Sequence, residues 1–224
     1  MITVKNFTKS YGAQNVYNDF NLEIDQDKIT CILGESGCGK TTLLNAVAGL
    51  INYGGEITKA RVSYVFQTPR IIPNLTVEDN LKIIGAESNW VAHMLQRVGL
   101  SDKIKAYPNT LSGGEAQRVS LVRAFGYPSE ILLMDEPFSS LDLKSKLSAM
   151  ELVLSLVKEE GRGALFVTHD VDEALFLADR IVVLGGGKIL SDIENAEKLP
   201  FGASSEKREE IIKALLGEDV LTKS

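Results

Sequence analysis

The sequence predicts an α/β fold in which a parallel-sheet core follows an N-terminal antiparallel β subdomain and is interrupted by an inserted helical subdomain at about residues 69–125. Short continuous apolar runs at Ile29–Leu33, Ile131–Met134, Ala164–Val167 and Ile181–Leu184 have the pattern of strands buried on both faces. Apolar residues at helical spacing occupy the stretches between the runs, as crossovers in a parallel sheet require. The 224 residues are 44% hydrophobic, enough for one sizeable core, so a single domain over 1–224 is expected.

At the start, residues 2–7 and 20–24 alternate apolar and polar, the period of half-buried strands. Ser10, Tyr11, Gly12 and later Asn18 and Asp19 separate them, so they read as an antiparallel pair with Tyr11 in the turn. Ile29–Leu33 ends in glycines, and from Lys40 the residues Leu43, Leu44, Val47 and Leu50 fall at helical spacing: strand, glycine loop, helix. Tyr64 to Phe66 reads as another short strand. Thr76 and Asp79 are spaced as a capping box, and Val91, Met94, Leu95 and Val98 line one face of a helix that stops at Gly99. His93 lies opposite that face and reads as solvated, and Trp90 reads as packing. Asp170 with Glu173 reads as the cap of the helix after the third long run. A closing amphipathic helix at about 204–217 has a serine start, Ile211, Ile212, Leu215 and Leu216 on one face, and Gly217 as its stop, and is expected to pack on its own domain.

Lys and Arg total 24 against 30 Asp and Glu, a net charge of −6, so the chain as a whole repels nucleic acid and anionic membrane. No apolar run approaches the roughly 18 residues needed to span a bilayer. Residues 1–20 mix Lys, Asn and Asp with single apolar residues and do not form a secretory segment, so a cytosolic location is expected. Cys31 and Cys38 form neither a CxxC nor a cluster with His, which argues against a disulfide scaffold or a zinc site.

Residues 34–42, GESGCGKTT, match a phosphate loop placed after a strand and opening a helix. Its glycines let backbone amides close around a phosphate, and the helix start adds a positive end. In that pattern Gly34, Glu35, Ser36, Gly37, Cys38, Gly39, Lys40, Thr41 and Thr42 form a nucleoside triphosphate site, with Lys40 reaching the β and γ phosphates and Thr41 holding magnesium. Cys38 reads as a small filler, since no His stands near it to activate a nucleophile. The run ILLMDEP puts Asp135 and Glu136 at the carboxyl end of a buried strand, where α/β sites lie. Asp135 suits the magnesium shell and Glu136 suits the base that takes a proton from attacking water. Residues 111–118, LSGGEAQR, place Ser112, Gly113 and Gly114 at a helix start; an ordinary serine cap is the commoner use of such a serine, but a first cradle in the same chain favours a second anion cradle.

LSGGEAQR resembles the signature motif of the ATP-binding cassette (ABC) ATPases, and the other motifs of that family occur in its order along essentially the whole chain. The resemblance implies the ABC ATPase fold, built on a P-loop NTPase core, with ATP and Mg2+ as cofactors. It also implies that Tyr11 stacks on adenine, that Gln67 touches magnesium and water and faces the membrane partner, and that Asp142 lies in the loop (SSLD) through which two subunits communicate. His169, in VTHD, matches the histidine that contacts the γ phosphate. Glu115 stands where the shorthand motif has Gln, a position that varies in the family. The segments FQTPRIIPNLTV and HDVDEALFLADRIVVL, with Pro137 and Phe138 after the acids, are most similar to the nitrate, sulfonate and taurine importer ATPases. Implied partners are a second ATPase subunit, transmembrane permease subunits and an extracytoplasmic substrate-binding protein, with no nucleic acid, at the cytoplasmic face of the membrane. The alternatives are an efflux or lipoprotein-release ATPase and a soluble ABC ATPase. The span from Lys40 to Ser112 is too short for the long coiled coil of the DNA-repair type.

Overall fold

In the computed structural model, which describes residues 1–216, strands β1 (Ile2–Tyr11), β2 (Gln14–Ile24) and β3 (Ile29–Gly34) lead into α1 (Lys40–Val47). Then come β4 (Gly54–Ile57), β5 (Val62–Val65), α2 (Val77–Lys82), α3 (Ser88–Arg97), two short 3-10 turns and α4 (Gly113–Gly126). The chain continues through β6 (Ile131–Asp135), α5 (Leu143–Glu160), β7 (Ala164–Thr168), α6 (Val171–Leu177), β8 (Arg180–Gly185), β9 (Lys188–Glu194) and α7 (Glu206–Leu216). It divides into two compact units, residues 61–161 forming one and the flanking segments the other.

In the flanking unit, β1 pairs antiparallel with β2 and with β4. The first two strands run longer than the alternation indicates. β1 continues to Tyr11 and β2 begins at Gln14, so the turn is Gly12–Ala13, and Tyr11 ends a strand instead of lying in a turn. Asn18 and Asp19 fall inside β2, where Asp19 takes a positive φ of 55° next to shifts in the pairing register. In the second sheet of this unit, β3 is flanked by parallel β7 and β8, and β9 closes the edge antiparallel to β8. All six residues of β3 and all five of β7 are buried, which accounts for their unbroken apolar character. Leu43, Leu44, Ala46 and Val47 of α1 are buried, but the helix ends before Leu50, which is 55% exposed. In α7 only Ile211 is buried and Leu216 is 65% exposed, so the apolar face is narrower than its spacing predicts. Ser205, not Ser204, accepts from the Arg208 amide at its start, and an ion pair from Arg208 to Asp172 ties α7 to α6. Gly217, the expected stop, lies outside the described residues.

In the other unit, β5 and β6 form a parallel pair, with β5 ending at Val65, just short of Phe66. Val91, Met94 and Leu95 of α3 are buried as their spacing predicts, while His93 is exposed. At the start of α2, the Thr76 hydroxyl accepts from the Asp79 amide at 3.1 Å and also donates to the Asp79 carboxylate at 2.6 Å. Asp79 therefore completes the cap through the hydroxyl, not through a backbone amide. Buried Asn80 staples the preceding turn: its amide nitrogen donates to the carbonyls of Ile72, Leu75 and Thr76, and its oxygen accepts from the Ile72 amide.

Trp90 does pack, against the last residue of α4. A Cβ at Gly126 would lie 2.7 Å from the indole and 2.6 Å from Ile84 Cδ1, so no larger residue fits without displacing both. Gly126→Ala is expected to cost about 1–3 kcal/mol of overpacking strain. Thermal denaturation should show it as a fall of roughly 2–4 °C per kcal/mol. An unchanged Tm would show that Trp90 and Ile84 shift freely.

Candidate functional site

Most of the residues expected in the site fall into two groups, each held within one unit. In the flanking unit the phosphate loop leaves the carboxyl end of β3 and enters α1. Gly39 is the N-cap of α1 at φ 109°, a conformation that side chains resist, and it offers no side-chain cap to this helix start. A Cβ on Gly39 would also meet the Tyr17 ring at 2.8 Å and Val16 at 2.9 Å, so β2 presses directly on the loop. Lys40 is buried at 5% exposure, and its ammonium donates to the carbonyls of Gly34 at 2.6 Å and Glu35 at 2.9 Å. The lysine thus folds back across the loop and holds its charge where the amides converge. Glu35, Ser36 and Gly37 at the tip are exposed, and Thr41 and Thr42 follow in the first turn of α1.

The parallel register pairs Leu33 with Thr168, so the next residues along, Gly34 and His169, leave the same sheet edge side by side. His169 is exposed there. Asp170 caps α6 by accepting from the amides of Asp172 and Glu173. Glu173 does not reciprocate as the spacing suggests; it is buried and accepts instead from the Thr168 hydroxyl at 2.7 Å. This bond braces the strand end that carries His169. Tyr11 ends β1 in the three-stranded sheet. It is 50% exposed, with the Lys9 ammonium 4.9 Å from its ring centre.

The second group lies at the carboxyl ends of β5 and β6. The register pairs Val65 with Met134, which carries Gln67 opposite Glu136, and the Gln67 amide donates to the Glu136 carboxylate at 3.3 Å. Asp135 is 5% exposed, and burial together with its charge pushes the Tyr64 hydroxyl up from its ordinary pKa. Glu136 adopts φ 42°, an uncommon conformation for a residue with a side chain and one that recurs where chemistry is done. The turn behind it is pinned from two sides. Ser139 donates to the Glu136 carbonyl, and buried Gln117 on α4 donates to the Pro137 carbonyl at 2.9 Å.

Ser112 is the N-cap of α4 and forms a full capping box. Its hydroxyl accepts from the Glu115 amide at 3.2 Å, and the Glu115 carboxylate accepts from the Ser112 amide at 2.7 Å. The amide bond is the first cause that holds the Glu115 carboxyl below its ordinary range. The Ser112 amide is therefore engaged, and the donors left at this helix start are those of Gly113 and Gly114, which have no intrahelical partner. Asp142 caps α5 by accepting from the Ser145 amide at 3.1 Å, and its bonds to Ser145 hold its carboxyl low.

Sequence reasoning left out Val16, Tyr17 and Gln117. The first two lie between the two strands that the alternation marks, and a Gln three positions past the signature glycines gives no local signal of a tertiary bond. No cluster of three or more His, Cys, Asp or Glu suited to a metal occurs among the described residues. Magnesium keeps waters and is commonly held by one or two protein groups together with substrate phosphates, and the Thr41 hydroxyl and the Asp135 carboxylate are oxygen donors of the kind it takes.

The sequence profile of the ABC transporter family matches residues 17–139. The aliphatic sulfonates import ATP-binding protein SsuB 2 of Pseudomonas syringae pv. tomato is 43% identical over 183 residues, which are 79% of this chain and 79% of the relative. SsuB 3 of Paraburkholderia xenovorans is 41% identical over 216 residues, 94% of this chain and 87% of the relative. Among solved structures, a dimeric post-hydrolysis state of the ATP-binding cassette MJ0796 bound to ADP and Pi superposes with a TM-score of 0.79 at 29% identity, covering 87% of this chain and 99% of that one. The chain belongs to the ABC transporter family, as one of its ATP-hydrolysing subunits, with the ABC ATPase fold.

Proposed function

We propose that the chain drives import of a small oxyanion, an aliphatic sulfonate before nitrate or taurine, by closing and reopening a dimer around ATP at the cytoplasmic face of the membrane. The geometry that carries the hydrolytic reading is the pinned, left-handed Glu136 with Gln67 on its carboxylate. The substrate class is supported by the sulfonate importers among the relatives. No helix among the described residues is long and apolar enough to cross a membrane, so a separate permease would supply the path, and an extracytoplasmic binding protein would deliver the substrate.

In this reading the loop residues 34–42 receive the phosphates. Lys40 exchanges its two contacts to neutral carbonyls for β and γ phosphate oxygens, gaining charged acceptors for its ammonium. Glu136 accepts a proton as water attacks the γ phosphorus and ADP leaves, while Gln67 orients the carboxylate and the water. His169 contacts the γ phosphate. Thr41, Gln67 and Asp135 would hold Mg2+, which when bound neutralises charge on the phosphates. Ser112, Gly113, Gly114 and Asp142 act on the nucleotide of the second subunit, with the two glycine amides as donors. The segment near Gln67 to Asn74, stapled by Asn80 at the Ile72 carbonyl and by Arg123 at the Arg70 carbonyl, passes dimer closure to the permease.

Removing the gene from its host is expected to abolish growth on an alkanesulfonate as sole sulfur source, with rescue by the wild-type chain and not by Glu136→Gln. Undiminished growth would refute the sulfonate assignment, and loss of an efflux phenotype instead would favour the export alternative. Tyr11→Ala is expected to weaken ATP and GTP alike by about 1 kcal/mol, close to fivefold, because stacking reads a π face. A nucleotide titration checks this, and unchanged affinity would leave Tyr11 as a strand-end residue only.

A further inference from the structure

A half-open cavity of about 570 Å3 lies among the end of α3, the second turn of α4 and the first turns of α5, all within the unit of residues 61–161. Its wall is cationic although the chain carries a net −6: Arg97, Arg118 and Lys144 line it, with Ser145 and Ser148. The three cations are not equivalent. Arg97 is neutralised by a two-pronged ion pair to Glu159, at 2.8 and 2.9 Å, and bonds Ser155. No salt bridge within 4 Å holds Arg118 or Lys144 among the described residues, although Arg118 feels the Glu115 carboxylate one turn back on α4, and the Arg118 Nε–H is buried with no hydrogen-bond partner. An unmet donor on a permanent cation carries a cost, of the kind that a ligand relieves. Ser145 bonds the Asp142 carboxylate through both its amide and its side chain, whereas the Ser148 hydroxyl, one turn beyond Lys144, remains available.

A guanidinium, an ammonium and a hydroxyl on one wall without a carboxylate among the lining residues suit an oxyanion, and two positive charges outside any salt bridge suit a dianion better than a monoanion. The recess has the volume of a small-molecule site. We propose that this cavity is a binding site for a small tetrahedral dianion, phosphate or sulfate or a phosphoryl group of that charge, held by Arg118, Lys144 and Ser148. Arg118 sits on α4 six residues after Ser112, and Lys144 follows Asp142 by two. The occupant therefore ties the signature helix to the SSLD loop, and its link to ATP turnover rests on the function proposed above. Its binding does not.

The test is titration of the full chain with inorganic phosphate, sulfate and methanesulfonate at constant ionic strength, with the nucleotide site saturated by a non-hydrolysable ATP analogue. Analogue binding is measured separately, so a failure of the nucleotide reading is seen on its own. Expected is saturable phosphate and sulfate binding with a rise in Tm. It should weaken at least tenfold in Lys144→Glu and about threefold in Ser148→Ala. Both residues are exposed, so both variants should fold. Methanesulfonate, a monoanion, should bind at least tenfold more weakly than sulfate. No saturable binding, equal affinity in Lys144→Glu, or methanesulfonate as tight as sulfate would each overturn the proposal.

Discussion

Glu136→Gln is expected to lower ATP hydrolysis by about 10² or more while leaving ATP binding intact. The substitution keeps the length and hydrogen-bonding ability of the side chain but removes the group that takes the proton from water. The bonds that shape the turn are made by the Glu136 and Pro137 carbonyls, to Ser139 and Gln117, so the backbone around position 136 survives the change. Gln67 also keeps an oxygen to donate to. The expected result is therefore a correctly folded chain that binds ATP and stops there, accumulating an ATP-bound dimer visible by size-exclusion chromatography. Wild-type turnover in this variant would remove Glu136 from the role of base.

Both halves of the candidate site were legible wherever chemistry and local pattern coincide. The phosphate loop could be read because Gly39 and Lys40 must stand at a strand-to-helix junction, and the buried strands β3, β6, β7 and β8 could be read because burial on both faces leaves unbroken apolar runs. The signature serine was legible as a cap, but only the structure shows that Glu115 completes the box and takes the Ser112 amide.

What was hidden depends on partners far along the chain. β4 has Ile57 as its sole apolar residue, and β9 alternates at a half-exposed sheet edge, so neither gives a run to detect. The pressure of Val16 and Tyr17 on Gly39, the staple from Asn80 and the bond from Gln117 to Pro137 are tertiary satisfactions of groups that look ordinary in sequence. Leu50 shows the opposite error: it keeps the helical spacing after the helix has ended.

The central claim is that each ATP is held by the phosphate loop of one chain and the signature of another, and mixing two inactive variants tests it most directly. Lys40→Ala removes the buried ammonium that closes the loop, and Ser112→Arg puts a bulky cation where the α4 cap stands, so each homodimer should be inactive, with both its sites broken. When equal amounts are mixed and exchange, a mixed dimer gathers both lesions in one site and leaves the other whole. With a symmetric dimer and independent sites, about a quarter of all sites are then intact, and about a quarter of wild-type ATPase activity returns. A chain carrying both substitutions, mixed equally with wild type, should also retain about a quarter, from wild-type pairs alone. If the crossed mixture instead stays inactive and the control retains about half, each chain builds its own site and the shared-site mechanism is wrong.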